Sequence, residues 1–365
     1  LYINGDKSRV MDSKQVPLLI NFGAVEMPPP GTMLEKFTVK ETKQYELQAM
    51  FKCGDDLRQD QLTLQIINVM DRLWKEKGYD MMMSCYAVVP TGLDEGFIEI
   101  VENAQTLASI VKSCHNESIF MKRLRVAKDA LFKSSYIKDW LVLKNQDHGH
   151  TWNFKAMQTF STNNQMTYGV KAKADRLNLG SDRERRVKAS IAKRPSQLYK
   201  RRFMHSCAGY CVASYVLGLG DRHNDNIMVT ADGRLFHIDF GHILGNFKSK
   251  FGYKRERETF VFTPAFASVM DGPNSLMFAE FLTLCRSVYN ILRSESVFLM
   301  SLMQMMVGVG IPELTKDEDI LYMREKLMLH LTDEEAGEHF AQELMASMND
   351  TKQLVNDFAH LIRRA

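Results

Sequence analysis

The residues best suited to chemistry form a polar run, Gly220-Asp221-Arg222-His223-Asn224-Asp225-Asn226, followed by Asp239-Phe240-Gly241. Asn226 and Asp239 carry oxygen donors of the kind that magnesium prefers, and a hairpin between them would bring both onto one metal site. Asp221 or His223 could accept a hydroxyl proton, His223 having the better-matched intrinsic pKa. Arg222 could pair with an acidic side chain or with phosphate. Phosphoryl transfer from ATP needs these groups.

Short strands and long helices are expected to position these groups. Asn226–Thr230 and Leu235–Asp239 are predicted as strands joined by a turn at Ala231-Asp232-Gly233, and Phe203–Gly218 as the helix before the polar run. Beyond Pro264 the pattern is almost entirely helical.

The first hundred residues instead predict strands around one long helix. Leu62, Ile66, Val69 and Leu73 recur at helical spacing, and Gly78 supplies a stop signal. The expected elements are the helix Gln61–Lys77 and the strands Val16–Phe22, Met82–Val89 and Phe97–Val101.

Composition excludes several classes of protein. The 365 residues carry a net charge of only +3, so any basic surface must be local. The six cysteines include no C-x-x-C pair, which favours free thiols in a reducing compartment over disulfides or zinc. The most apolar run, Val297–Pro312, is short for a membrane span and is expected as a buried helix. A soluble protein with peripheral membrane contact is therefore predicted.

One segment, residues 146–202, differs from the rest in composition. It holds 13 Lys and Arg against four Asp and Glu, a net charge of +9, with few large aliphatic residues. Such a segment cannot bury enough apolar surface to fold alone, so it is predicted to be a flexible insertion. A functional basic surface is the alternative.

The order of the polar run distinguishes it from a protein kinase loop. That loop reads His-Arg-Asp with an Asn five residues later, whereas this chain reads Asp-Arg-His with Asn226 three residues after His223. Together with Asp-Phe-Gly, this order resembles the phosphoinositide 3-kinase and related-kinase superfamily. Further blocks, among them Phe51–Asp60, Ser206–Cys211 and Val307–Leu314, resemble the catalytic domain of the class I phosphoinositide 3-kinases.

The resemblance implies an α+β, bilobal kinase-like fold, with a small β-rich N-lobe that contains one long helix and a larger, mainly helical C-lobe. The N-lobe would span 1–101, the hinge 102–105 and the C-lobe 106–365, with an activation segment at 239–263. It also implies ATP and Mg²⁺ as cofactors, with Asn226 and Asp239 as metal ligands. Asp221, Arg222, His223 and His242 would be catalytic, His242 lying near the transferred phosphate.

The same resemblance implies a nucleotide site. Lys52 would contact the phosphates, Glu99 and Val101 would hold adenine at the hinge, and the phosphate loop would be the glycine-poor Met11–Pro17, in which Lys14 is the nearest lysine to the family's usual position. The residues implied to bind nucleotide are Ser13, Lys14, Lys52, Asp60, Tyr86, Glu99, Val101, Met228 and Ile238. For Tyr86 and Met228, plain core packing is an equal alternative.

The segment after Asp239-Phe240-Gly241 indicates the substrate. Its cations are Lys248, Lys250, Lys254, Arg255 and Arg257. Two arginines beside a lysine can grip the phosphates of a bisphosphorylated lipid headgroup. This basic box, the five cations just listed, resembles that of class I lipid kinases and predicts phosphatidylinositol 4,5-bisphosphate as substrate.

Two other functions compete with a lipid 3-kinase. One is a protein Ser/Thr kinase of the related superfamily, against which the basic box argues, and the other is a catalytically silent scaffold that binds acidic membranes or RNA. The C-terminal Val355–Arg364 is expected to be a basic amphipathic helix suited to an anionic membrane, with simple packing on the C-lobe as an equal alternative. The chain is expected to be part of a longer cytoplasmic protein recruited to the plasma membrane. By resemblance, its upstream domains would bind an SH2-containing regulatory subunit and a Ras-type small GTPase, and no specific nucleic acid.

Overall fold

The computed structural model contains one chain that divides into two compact units. It describes residues 2–11, 16–25, 44–113, 134–146, 195–246, 249–250, 253–254 and 260–349. The first unit comprises Leu1–Gln65 and Cys85–Glu102, and the second comprises Ile66–Ser84 and Asn103–Ala365. The first is built on a β-sheet and the second is mainly helical. The predicted α+β kinase-like fold is confirmed, whereas the lobe and hinge boundaries stay predictions.

The sheet of the first unit is antiparallel throughout, in the order β1-β2-β3-β5-β4. Within β2, Leu19 and Asn21 are buried and Leu18 is exposed, as the two-residue period of a strand requires. The strands are β1 Tyr2–Val10, β2 Leu18–Val25, β3 Gln44–Cys53, β4 Val88–Pro90 and β5 Glu95–Glu99.

The predicted strand Met82–Val89 is wrong for most of its length. Met82 adopts a positive φ of 51°, and its N–H bonds the Asp80 side chain at 3.0 Å. The Ser84 carbonyl accepts from the Tyr210 hydroxyl at 2.9 Å. Because these backbone groups bond side chains in place of a neighbouring strand, only β4 remains as ladder.

Helix α1, Arg58–Glu76, begins three residues before the predicted start. The Asp56 carboxylate accepts the Arg58 N–H at 3.0 Å, which satisfies one of the first unpaired helix donors. Such a cap leaves no apolar signal in the sequence. At the other end Gly78 adopts φ +85° and Tyr79 N–H bonds the Trp74 carbonyl at 2.8 Å, a glycine-type helix stop.

Helix α4, Pro195–Leu217, lies at the centre of the second unit. Cys207, Tyr210, Val212 and Val216 on it are fully buried or nearly so. The other helices of the described part of this unit are α2 Leu107–Ser113, α3 Tyr136–Gln146, α5 Pro264–Val269, α6 Leu276–Ser294, α7 Ser296–Gln304, α8 Leu321–Lys326 and α9 Asp333–Asn349, with a 3-10 turn at Asp317–Ile320.

The predicted insertion 146–202 ends too late, because α4 begins at Pro195 and not at Phe203. The first turns of α4 are polar and gave no apolar periodicity. They are ordered by ion pairs: Lys200 bonds Asp271 at 2.6 Å and Arg202 bonds Asp232 at 3.3 Å. Residues 147–194 lie outside the described residues.

A three-stranded sheet carries the polar run. It has the order β6-β7-β8, formed by β6 Ala104–Thr106, β7 Ile227–Thr230 and β8 Leu235–His237. Both α3 and α4 bond the turn at Ala231-Asp232-Gly233. Asn145 of α3 donates to the Ala231 carbonyl at 3.0 Å, and Arg202 of α4 pairs with Asp232. The predicted hairpin is present, and its pairing with β6 was not predicted.

The run Val297–Pro312 is not a buried helix. Its helical part ends at Gln304, and Val297 and Met305 are 73% and 67% exposed. No helix in the described ranges is both long enough and apolar enough to cross a membrane. The predicted helix Val355–Arg364 lies outside the described residues.

The stretches on either side of the polar run are joined by main-chain bonds. Leu244 N–H bonds the Leu217 carbonyl at 2.7 Å, and Gly245 N–H bonds the Gly218 carbonyl at 3.2 Å. The Tyr322 ring covers this junction so closely that a Cβ on Gly245 would lie 2.4 Å from its Cδ2. Gly245 also has φ +74°.

Gly245→Ala should therefore lower the free energy of unfolding by about 2–4 kcal/mol, since overpacking adds to left-handed backbone strain. Gly272→Ala is the matched control, because Gly272 has φ +93° but nothing within 4 Å of the added Cβ. It should lose only the strain, about 1–2 kcal/mol. Equal losses in urea unfolding would show that Tyr322 does not close the junction.

Candidate active site

Asn226 and Asp239 come together across the hairpin. Ile238 N–H bonds the Asn226 carbonyl at 3.1 Å, so Asp239 follows directly after the residue paired with Asn226. The Asn226 amide nitrogen donates to the Asp221 carbonyl at 3.0 Å. That bond leaves the amide oxygen as the atom that can face a cation. The described residues contain no group of three or more His, Cys, Asp or Glu able to hold a metal.

A hard divalent cation fits this donor set. One amide oxygen and one carboxylate offer the oxygen ligands that Mg²⁺ takes, and Mg²⁺ commonly completes its shell with water and substrate phosphate. Asp239 is exposed and has φ +62°, and Asp221 has φ +55°. Both lie in the left-handed region, which is sparsely populated outside glycine and concentrates at functional sites.

Arg222 holds the Asp239 backbone. It is 4% exposed, and its guanidinium donates to the carbonyls of Gly220 at 2.8 Å, Ile238 at 2.8 Å and Asp239. Its charge also lies over the Phe240 ring, 5.6 Å from the centroid. The sequence did not indicate these three carbonyl bonds, and the acidic or phosphate partner stays a prediction. The geometry therefore makes Arg222 a positioning residue.

His223 is buried between two aspartates. Its Nε2 lies 4.0 Å from Asp221 Oδ2, and its Nδ1 accepts the Asp225 N–H at 3.2 Å. An Nδ1 that accepts must carry the lone pair, so the neutral ring bears its proton on Nε2. The arrangement favours Asp221 over His223 as the acceptor of a proton in this state.

His242 directly follows the Asp-Phe-Gly triplet and bonds both Gly220 and Glu313. Its carbonyl accepts the Gly220 N–H at 3.0 Å, and its Nδ1 lies 2.8 Å from Glu313 Oε1. The other Glu313 oxygen accepts the Ile243 N–H at 2.5 Å. The loop on which His242 lies is thus tied to the polar run.

Met228 and Ile238 occupy one face of the hairpin. Met228 pairs with Phe236, two residues before Ile238, so the two side chains point the same way. The opposite face packs on α4, where His237 Nδ1 lies 3.3 Å from the Ser214 hydroxyl. Burial lowers the pKa of His237 well below its ordinary value, with a smaller contribution from the Arg222 charge. Met228 and Ile238 are half-buried, and their contact with nucleotide stays a prediction.

In the first unit, Lys52 lies on β3 opposite Gly96. Its ammonium forms an ion pair with Asp55, three residues on, and its side chain is 18% exposed. No role was predicted for Asp55 from the sequence, although it lies only three residues after Lys52. Asp60 lies in the first turn of α1, and Tyr86 is buried.

Glu99 and Ala87 bond each other twice at the end of β5. Glu99 N–H donates to the Ala87 carbonyl at 2.8 Å, and Ala87 N–H donates to the Glu99 carboxylate at 2.7 Å. The Glu99 carboxylate thus accepts the Ala87 N–H, which the carbonyl of a paired strand residue would accept in a regular ladder. Ile100 N–H bonds the Gln48 carbonyl at 3.2 Å, and Val101 follows immediately. The predicted adenine contacts lie on this segment.

The predicted phosphate-loop residues and the basic box are described only in part. Ser13, Lys14, Lys248, Arg255 and Arg257 lie outside the described residues. Lys250 and Lys254 lie on β9 Ser249–Lys250 and β10 Tyr253–Lys254, where Tyr253 pairs with Lys250 and Lys254 with Ser249. The roles of all these residues stay predictions.

The β-rich unit, the helical unit and the Asp-Arg-His and Asp-Phe-Gly loops joined by a hairpin define a protein with a kinase-like fold. The family model for phosphatidylinositol 3- and 4-kinases matches residues 46–316. The chain belongs to that family.

Similar proteins support this assignment. Phosphatidylinositol 3-kinase 1 and phosphatidylinositol 3-kinase 2 of Dictyostelium discoideum are 39% and 38% identical over 98% and 97% of this chain. Phosphatidylinositol 3-kinase C2 domain-containing subunit gamma of Rattus norvegicus is 36% identical over 99%. The chain spans 18%, 15% and 19% of the length of these three relatives.

Proposed function

We propose that this chain is the catalytic region of a lipid kinase that transfers the γ-phosphate of ATP to the 3-hydroxyl of a phosphoinositide. The hairpin bond from Ile238 N–H to the Asn226 carbonyl carries the proposal, because it places Asn226 opposite the residue before Asp239 and so supports the two as the oxygen donors that phosphoryl transfer needs. The names of the relatives support the lipid class of substrate.

The chain's own residues would bind and orient the reactants. Lys52 is the cation for the ATP phosphates, and the ends of β5 and its following residues hold the adenine. Asn226 and Asp239 would hold Mg²⁺, which would supply positive charge to the phosphates. Arg222 fixes the Asp239 backbone.

We further propose phosphatidylinositol 4,5-bisphosphate as the substrate. The support is the density of cations in the basic box, which suits a headgroup that already bears two phosphates. Recruitment from the cytoplasm to the plasma membrane, and an SH2-containing regulatory subunit and a Ras-type GTPase for the longer protein, are proposals that rest on the resemblance to class I enzymes alone.

A radiolabelled-ATP assay on a panel of inositol lipids and one protein substrate tests the function. Label on inositol lipids at the 3-position supports it. Label on the protein alone would indicate a Ser/Thr kinase. Binding without turnover, lost when residues 147–194 are deleted, would indicate the scaffold.

The basic box provides a sharper test of the lipid. Replacing Lys254, Arg255 and Arg257 by glutamine should lower kcat/KM on the bisphosphorylated lipid by about 100-fold, since each lost phosphate contact removes a charge-assisted bond. The unphosphorylated lipid should lose less than about threefold. Lys144→Gln, which removes an exposed cation on α3, serves as the control and should change neither value. Equal loss on both lipids would remove the substrate argument.

A further inference from the structure

The contact between Glu313 and His242 joins two distant parts of the second unit. The residues are 71 positions apart. Glu313 lies in the turn between α7 and the 3-10 helix, where Ile311 and Leu314 form an isolated bridge that fixes the turn. The side chains of Glu313 and His242 are only 17% and 26% exposed. Partial burial strengthens a charge-assisted bond of this kind.

Both carboxylate oxygens of Glu313 are used on the same loop. Oε2 accepts the Ile243 N–H at 2.5 Å, which fixes the plane of the carboxylate. Oε1 then meets His242 Nδ1 at 2.8 Å. An ionised carboxylate has only acceptors, so the bond requires a proton on Nδ1. In the neutral ring the lone pair must then lie on Nε2.

The two histidines of the site are thus held in opposite tautomers. His223 accepts at Nδ1 from a backbone N–H, whereas His242 donates from Nδ1 to a carboxylate. A carboxylate on one ring nitrogen sets the tautomer and orientation of the other and stabilises the ring when it becomes charged. The main-chain bond from Gly220 N–H to the His242 carbonyl fixes the backbone beneath that ring.

We propose that Glu313 is a positioning residue for phosphoryl transfer, which holds His242 as the Nδ1–H tautomer so that Nε2 accepts a hydrogen bond from the substrate hydroxyl. The inference rests on the proposed kinase function. It adds a residue that no sequence motif marked as catalytic.

Glu313→Gln is a near-isosteric test that inverts the tautomer. The Gln oxygen can still accept the Ile243 N–H, but its NH₂ group must donate to His242 Nδ1, which places the ring proton on Nε2. Long-range ¹H–¹⁵N spectra of histidine-labelled protein should show His242 protonated at Nδ1 in the wild type and at Nε2 in the variant. His242→Gln assigns the resonance.

The kinetic result should follow the spectrum. In Glu313→Gln, kcat on the inositol lipid should fall by about 100-fold while KM for ATP stays within about twofold, because geometry at the reacting group is lost and nucleotide binding is not. Glu318→Gln, an exposed glutamate five residues away, is the matched control and should behave as wild type. His242→Gln and the double variant should have equal kcat, since the two residues act as a unit.

The outcomes separate this inference from the proposed function. The inference is wrong if the wild type is active and Glu313→Gln leaves either the His242 spectrum or kcat unchanged. Glu313→Ala removes both hydrogen bonds of the carboxylate and serves as the destabilised reference. If Glu313→Gln lowers the unfolding midpoint as much as Glu313→Ala does, the lost activity reflects lost structure and the inference is wrong. A wild type inactive on every lipid but showing the tautomer change would refute the kinase proposal and leave the contact standing.

Discussion

Asp239→Asn should lower ATP turnover by about 1,000-fold or more while leaving the fold intact. The substitution removes the only negative charge of the predicted metal pair but keeps its size, and catalysis of phosphoryl transfer depends almost entirely on positioning and charge. Asparagine also tolerates a left-handed backbone, so φ +62° at this position adds no new strain. Steady-state turnover with saturating ATP and Mg²⁺ measures the effect.

The unfolding midpoint should stay within about 2 °C of the wild type, because the carboxylate is exposed and surface substitutions change stability little. Glu318→Gln, in the exposed 3-10 turn, removes a negative charge from a residue with no assigned role and should keep full activity. Turnover retained in Asp239→Asn would contradict the assignment of Asp239 as a metal ligand.

Replacing Arg222 should affect stability and activity together. Arg222→Met removes a buried cation whose donors bond three carbonyls, and these carbonyls would be left without their partner. The free energy of unfolding should fall by about 3–5 kcal/mol. Turnover should fall by about 100-fold or more, because the Asp239 backbone loses its support. Arg222→Lys should recover little, since one ammonium cannot reproduce the planar fork.

Arg234→Met is the matched control for this pair of measurements. Arg234 lies on the same hairpin with its side chain 39% exposed and pairs with Asp232 at 3.3 Å. An exposed pair contributes about 1 kcal/mol or less. If Arg222→Met and Arg234→Met unfold at the same urea concentration, Arg222 does not carry the structural role assigned to it.

The sequence predicted those parts of the fold in which the local signal is strong. Helix α1 has apolar residues at helical spacing and a glycine stop, and the hairpin has a turn between two apolar runs. The family was also predictable, because the order Asp221-Arg222-His223 with Asn226 differs from that of a protein kinase. Helix α4 was predicted too short because its first turns are polar and are ordered by Asp232 and Asp271, which lie far along the chain.

The contacts that complete the site were beyond sequence reasoning. Glu313 reaches His242 across 71 residues, and no periodicity links a turn glutamate to a loop histidine. Arg222 also bonds three backbone carbonyls, which the sequence did not indicate because their availability depends on the tertiary course of the chain. Both contacts are decided by packing.

Helices α3 and α4, which flank residues 147–194, bond the same turn and the same aspartate. Asn145 and Arg202 both bond the turn at Ala231–Gly233, and Lys138 and Lys200 both pair with Asp271. The two helices that flank residues 147–194 are therefore held by bonds made outside that stretch. Closing a loop costs only about 0.6 kcal/mol more for each doubling of its length. A change in the length of this stretch should therefore alter the free energy of unfolding only slightly.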